Sequence, residues 1–361
     1  KDGWHSLLPL VVLVAALIYG FTPTYAAGIA ILSVIVASWL SRHPMGFRDI
    51  LDALAMGARN VTTTAILLIA VGLIVMVVST TGIGNTFSLM ITDWAGGSLV
   101  ITILLVALAS LILGMGLPVT AAYIVLATLS APAIYNLIAQ GQLLELLMNG
   151  NLPEQAKAIF MLAAPDKTAL LNAPMDLATA QHLLAMVPDT FSTQLLEQAL
   201  SPATLSMVLV AAHMIIFWLS QDSNVTPPVC LTAFAAAAIA GTPQMRTGFT
   251  AWKLAKGLYI VPLLFAYSPL ITGDFTEMIR VFLFALFGIY AIIAGLEGYL
   301  EHKLHPVVRL LMFPIGALML WPHGQILLDG AGVVIFIAVL VWSSRRGRAS
   351  PALARAGRAD S

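Results

Sequence analysis

Apolar runs of membrane-spanning or nearly spanning length recur along this sequence, at 7–21, 25–40, 62–79, 99–113, 121–134, 203–219, 258–270, 278–296, 307–320 and 326–342. A hydrocarbon core of about 30 Å takes roughly 20 helical residues to cross, or strands of about ten residues that alternate in polarity. The runs are continuous in their apolar character, which points to helices, and several are too short to cross alone. Charge is correspondingly scarce. The 361 residues carry 17 basic and 17 acidic side chains, 9% of the chain, with a mean hydropathy of +0.94; a soluble domain of this size would hold about 90. A soluble globule is thereby excluded, and a zero net charge provides no basic face for nucleic acid. The expected fold is an all-α polytopic membrane protein with about eight transmembrane helices. Cys230 is the single cysteine, so neither a disulfide framework nor a cysteine-based metal cluster is expected. The opening Lys1-Asp2-Gly3-Trp4-His5 has no initiator Met and no small-residue cleavage site, and it reads as a fragment or processed piece, not a signal peptide.

Two of the apolar stretches are interrupted in an unusual way. The stretch 99–134 contains Gly114-Met115-Gly116-Leu117-Pro118-Val119-Thr120, and 203–240 contains Ser220-Gln221-Asp222-Ser223-Asn224-Val225-Thr226-Pro227-Pro228. Glycine and proline at this density leave backbone groups unpaired at membrane depth, which is tolerated only where protein or a polar cavity takes them up. Between the breaks the composition changes. Residues 141–200 hold Glu145, Glu154, Asp166, Asp176, Asp189 and Glu197 against Lys157 and Lys167, a net charge of about −4. That segment reads as a water-exposed helical insert, either a solvated spacer or a docking surface.

Charge also orients the chain. Arg42, His43 and Arg48 lie in the 41–49 loop, Arg246, Lys253 and Lys256 follow the second break, and Arg345, Arg346, Arg348, Arg355 and Arg358 crowd the end. The positive-inside rule favours all three groups on the cytoplasmic face. With 62–79 leading outward, that outcome requires 99–134 to dip in and return as a re-entrant hairpin; a full crossing would put the last two groups outside. The expected organisation is scaffold helices over 1–98, the hairpin over 99–134, an extracytoplasmic insert over 135–202, an unwound transmembrane helix over 203–240, further transmembrane helices over 241–343 and a basic cytoplasmic tail over 344–361. Trp94, Trp252, Trp321 and Trp342 fall at segment ends, as an aromatic belt would place them.

A glycine-rich hairpin tip meeting an unwound helix is an arrangement that binds ions near the membrane midplane, because freed carbonyls coordinate a cation while half-helix N-termini face an anion. Thr120 in one break and Asp222, Ser223, Asn224 and Thr226 in the other offer the oxygen ligands that hard cations prefer. Asp222 is the most informative of them, since a carboxylate at that depth costs roughly 2.5–3.5 kcal/mol on insertion scales. His213 reads as a packed, hydrogen-bonded histidine, Cys230 as a small buried hydrophobe, and Lys253 and Lys256 as snorkelling interface residues. Glu301-His302-Lys303-Leu304-His305 lacks ligand spacing and reads as a solvated turn.

Gly114-Met115-Gly116-Leu117-Pro118-Val119-Thr120-Ala121-Ala122-Tyr123, followed by Asp222-Ser223-Asn224-Val225-Thr226-Pro227-Pro228-Val229 and the alanine-rich run 233–241, resembles the large membrane component of TRAP transporters, in particular the C-terminal half of the TAXI-type fused permeases. The resemblance continues through Arg246-Thr247-Gly248-Phe249 to Pro269 and covers most of 1–300. It implies one of two inverted halves of an elevator-type importer in the bacterial inner membrane. Such an importer is driven by an ion gradient, usually sodium with the proton as alternative, and carries an organic anion such as a carboxylate. The implied partners are an extracytoplasmic substrate-binding protein, the N-terminal half, the small four-helix membrane component and membrane lipid. Carried onto this sequence, the resemblance implies Gly114, Met115, Gly116, Pro118, Thr120, Ser223, Asn224 and Pro227 as the substrate region, and Gly116, Thr120, Asp222 and Thr226 as the cation region. The family's first hairpin is absent here, and the 141–200 insert is longer than the connection expected there. A stand-alone symporter without a binding protein is the alternative. An intramembrane enzyme would need paired acids or a metal-binding histidine pair, which Asp222 and His213 do not supply.

Overall fold

The computed structural model describes residues 4–41, 44–271, 274–321 and 325–349. Arg42 and His43 of the 41–49 loop, the side chains of Arg346 and Arg348, and the tail from residue 350 with Arg355 and Arg358 lie outside the described residues. Among the described residues the regular structure is helical apart from a two-residue antiparallel ladder, Tyr299–Leu300 against His302–Lys303. It divides into two compact units, Lys1–Gly72 and Leu73–Ser361.

In the first unit, α1 (Leu8–Ile18) packs on α2 (Pro23–Trp39). Each has proline in its first turn, where the missing N–H breaks no helical bond. The buried positions are small, Ala16, Ala26 and Ala37, while Leu10, Val11, Ile31 and Leu32 face outward. Small residues between helices and large apolar ones outside suit a lipid surround, in which helices gain by close approach and not by hiding oil from water. Helix α3 (Phe47–Thr81) begins here and ends in the second unit.

In the second unit, Gly82, with a φ of 69°, lies at the break where Leu68–Thr81 and α4 (Ile83–Trp94) bend by 76°. Next come α5 (Leu99–Gly114) and α6 (Val119–Met148). Pro132 inside α6 has no N–H to offer the turn before it. There α4 packs closely: the Ser88 hydroxyl donates to the Leu129 carbonyl at 2.7 Å, and Gly84 lies against the Thr128 carbonyl. Helix α6 does not stop at residue 134. Residues 135–148 are mostly apolar or helix-forming, and the helix ends at Asn149-Gly150, so the insert starts about two helical turns later than its acidic composition from residue 141 indicated.

The insert comprises α7 (Glu154–Ala163), a 3-10 segment Pro165–Asn172, α8 (Leu177–Ala185) and α9 (Asp189–Ala199). It is no bare spacer: Phe160, Leu171, Leu183 and Leu195 belong to the same apolar core as Ile134, Ile138 and Leu143 of α6. At its surface the Asp176 carboxylate caps α8, and the Thr179 hydroxyl holds it below the usual carboxylate range. Helix α10 (Pro202–Ser220) runs through the centre of the unit, burying Val208, Ala211, Ala212, Ile215, Ile216 and Leu219 against α5, α6 and α13 (Val261–Tyr267). Between α10 and α13 lie α11 (Leu231–Ala240), α12 (Gln244–Leu254) and a 3-10 segment Ala255–Tyr259. Finally α14 (Phe275–Glu297), α15 (Pro306–Leu320) and α16 (Ile326–Ala349) pack on one another around Ala291, Ala294, Met312, Met319 and Phe336.

Among the described residues, Val119–Met148, Pro202–Asn224, Gln244–Tyr267, Phe275–Glu297 and Ile326–Arg345 are long and apolar enough to cross a membrane, and the bent α3–α4 pair adds a sixth candidate. This is a multi-pass membrane architecture. The difference from about eight expected spans lies in α1, α2, α5, α11 and α15, which are apolar but of 10–17 residues.

Candidate functional site

Helix α10 loses its regular hydrogen bonding at Ser220, whose hydroxyl turns back to the Ile216 carbonyl at 2.7 Å. A 3-10 turn, Gln221–Asn224, follows, and the N–H groups of Val225 and Thr226 both converge on the Asp222 carbonyl at 3.0 and 2.9 Å. Pro227 and Pro228 then offer no N–H at all, so the helix resumes only with α11.

This geometry buries polar atoms without satisfying them. Asp222 is 1% exposed. Its Oδ1 accepts the Tyr259 hydroxyl at 2.7 Å, while Oδ2 has no hydrogen-bond partner among the described residues. The hydroxyls of Ser223 and Thr226 are also buried and unpartnered, and Thr226 Oγ1 lies near the Asp222 carboxylate without a hydrogen bond of normal geometry. A buried polar group left unmatched costs about 1–3 kcal/mol, more when charged. Three such oxygens within five residues therefore leave buried acceptor capacity that a cation would satisfy.

Helix α5 covers this turn. The Ser110 hydroxyl donates to the Leu219 carbonyl at 3.0 Å, taking up one of the carbonyls freed at the end of α10. One helical turn later, Gly114 is in direct contact with the site: a Cβ there would lie 3.2 Å from Ser223 N, Cα and Oγ. Only glycine lets the two backbones approach so closely. The tip turns through Gly116 N and Leu117 N, which both donate to the Leu113 carbonyl, and Pro118 caps α6 without a side-chain bond. The first N–H groups of α6 thus stay open at the tip.

The structure brings Gly114, Asp222, Ser223 and Thr226 together, with Pro227 buried next to them. Met115, Gly116 and Thr120 are exposed on the outer side of the tip, and Pro118 is half-buried. Asn224 is half-buried and spoken for: its amide donates to Gln221 Oε1 at 3.1 Å, and its carbonyl accepts from Thr232 at 3.0 Å. His213 pairs with the Tyr123 hydroxyl at 3.0 Å, as a packed histidine should. Lys253 and Lys256 are not simply snorkelling. Lys256 forms an ion pair with Glu297 of α14, and Lys253 lies 3.9 Å from the same carboxylate. The 301–305 segment is the turn of the small ladder, with Glu301 at φ 54° and His305 capping α15. Tyr259 was not foreseen, since nothing local marks it beyond a hydroxyl inside an apolar run. Nor was the pair of Arg280 on α14 and Asp329 on α16, at 3.4 Å, with Asp329 3% exposed.

The family model described as tripartite ATP-independent periplasmic transporter, DctM component, matches residues 1–271. The chain belongs to this family. It is therefore a component of a transporter, and the DctM match spans both breaks and the insert between them. The match ends at Ile271, close to Pro269 where the resemblance in the motifs ends, so that α14, α15 and α16 fall beyond the DctM region. No curated protein and no solved structure matches the chain.

Proposed function

We propose that this DctM-family chain forms the permease path for an organic anion, moved together with a cation held by Asp222 Oδ2, Ser223 Oγ, Thr226 Oγ1 and neighbouring carbonyls. The observation that carries this reading is the set of three buried, unpartnered oxygens under Gly114. One carboxylate with neutral hydroxyls matches a hard monovalent ion such as sodium. The open N–H groups at the start of α6 offer the complementary feature for an anionic substrate group, with Met115, Gly116 and Thr120 on the same exposed tip. Sodium is the proposed coupling ion, with the proton as the competing choice, and an elevator movement in the bacterial inner membrane is the proposed mode.

The partners proposed are an extracytoplasmic binding protein, the small membrane component and the N-terminal half of a fused permease. The insert supports a docking role for the first of these. Met161 and Leu162 are exposed at the end of α7, and the exposed Asp166 follows them in sequence, on a folded support. The charge-based topology places that face outside.

The test is uptake of a panel of mono- and dicarboxylates by the complete transporter in proteoliposomes, under separately imposed sodium and proton gradients. Uptake that follows the sodium gradient and requires the binding protein is the expected result. Uptake by the permease alone would favour the stand-alone symporter, and uptake driven only by protons would replace sodium in the scheme.

A further inference from the structure

The three helices beyond the family match have their own apolar cluster, and one of the segments they contact, 255–259, leads to the site. Ala255–Tyr259 is a 3-10 turn, a form whose own hydrogen bonds are poor and which needs outside contacts to hold its shape. At its end, Tyr259 donates its hydroxyl to Asp222 Oδ1, while the Trp252 N–H reaches the same tyrosine oxygen at 3.4 Å. Three residues earlier, Lys256 pairs with Glu297, the last residue of α14, with both side chains partly shielded. Between them, Gly257 lies flat on α14: a Cβ there would meet Ile289 Cγ2 at 3.2 Å. The α14 terminus is itself held, because Arg309 of α15 donates to the Gly295 and Leu296 carbonyls at 2.6 and 2.7 Å. A continuous set of contacts therefore runs from α15 through Glu297 and Lys256 to Tyr259 and Asp222.

We propose that Glu297, acting through Lys256, is a positioning residue for Asp222, so that the C-terminal helices set the affinity of the cation site. The ion pair anchors the 255–259 turn, the turn aims the Tyr259 hydroxyl, and the hydroxyl occupies Oδ1 and leaves Oδ2 without a hydrogen-bond partner among the described residues. The affinity part of this proposal rests on the reading of Asp222 as a cation ligand; the mechanical part does not.

The full purified chain, titrated with sodium chloride against choline chloride, separates the two. Hydrogen exchange is followed over 220–230, over 255–259 and, as a reference, over the insert. In the wild type sodium slows exchange over 220–230. Tyr259→Phe raises the half-saturating sodium concentration roughly tenfold, the scale of one hydrogen bond to a charged group. Glu297→Gln raises it about threefold, Lys256→Arg leaves it near the wild-type value, and the double variant Tyr259→Phe/Glu297→Gln matches Tyr259→Phe alone. Exchange over the insert stays unchanged throughout. A wild-type sodium dependence in Glu297→Gln, or effects that multiply in the double variant, would overturn the proposal. If sodium protects nothing in the wild type, the cation reading fails. The mechanical link is then judged without sodium: faster exchange over both 255–259 and 220–230 in Glu297→Gln supports it, and loosening confined to 255–259 refutes it.

Discussion

Asp222 and Asp329 are both carboxylates buried in apolar helical segments, 1% and 3% exposed, and they are satisfied in opposite ways. Asp329 sits in the first turn of α16, where the helix dipole favours an anion, and its charge is matched by the Arg280 guanidinium. Among the described residues, Asp222 has only a neutral tyrosine hydroxyl bonded to one oxygen and no hydrogen-bond partner on the other. A carboxylate with a built-in cation is complete and serves the packing of its helices. One with only neutral oxygens near it at similar burial lacks such a partner among the described residues, and this is the basis on which it is proposed as a cation ligand. The contrast separates a paired structural charge from one that is a candidate for function.

The largest expected effect breaks the structural member of the pair. Asp329→Asn should lower the stability of the purified chain by about 3 kcal/mol, because it strands the Arg280 charge, while Arg280→Met/Asp329→Leu should recover most of that loss in thermal unfolding. A mild Asp329→Asn would mean that the two carboxylates differ less than their partners indicate. Asp222→Asn should do the reverse. It should leave the unfolding temperature close to wild type, since the amide oxygen still accepts from Tyr259, and reduce cation-driven uptake in the complete transporter roughly a hundredfold. Binding of substrate to the soluble partner should be unaffected, and an unchanged ion dependence would remove Asp222 from the site.

Gly114→Ala sharpens the same point from the opposite helix. Its methyl must displace the Ser223 backbone by a few tenths of an ångström, so uptake should fall about tenfold, with little change in stability. The smallest effect expected is that of Ser110→Ala. Losing the bond to the Leu219 carbonyl should cost about 1 kcal/mol in unfolding, and a tip that still meets Ser223 should keep cation affinity near its original value.

Much of the site was legible because its chemistry is local. Proline lacks an N–H and glycine lacks a Cβ wherever they occur, so the breaks at 114–120 and 220–228 could be located by reading alone. A buried charge is expensive in any apolar surround, which marked Asp222. Residue-by-residue roles were less accessible. Thr120 and Gly116 share the motif with Gly114, yet only Gly114 lies on Ser223, because one turn at 115–117 carries the others to the outer face. Composition also misled at 141–148, where residues that continue α6 share a window with the acidic segment that follows them. Scarcity of charge made Asp222 look solitary, since Arg280 and Asp329 each lie in separate apolar runs that hide a single charge.

By itself the sequence determined that this chain is helical, membrane-embedded and interrupted twice, because hydropathy, helix breaking and the cost of buried charge are properties of short windows. Tertiary structure alone decided which groups complete one another. Tyr259 meets Asp222 across 37 residues, Lys256 meets Glu297 across 41, Arg280 meets Asp329 across 49, and Ser110 meets the end of α10 across 109. A period of 3.6 residues says which face of a helix is apolar, but not which helix will pack there. Whether a buried oxygen finds a partner or stays empty for an ion depends on that packing.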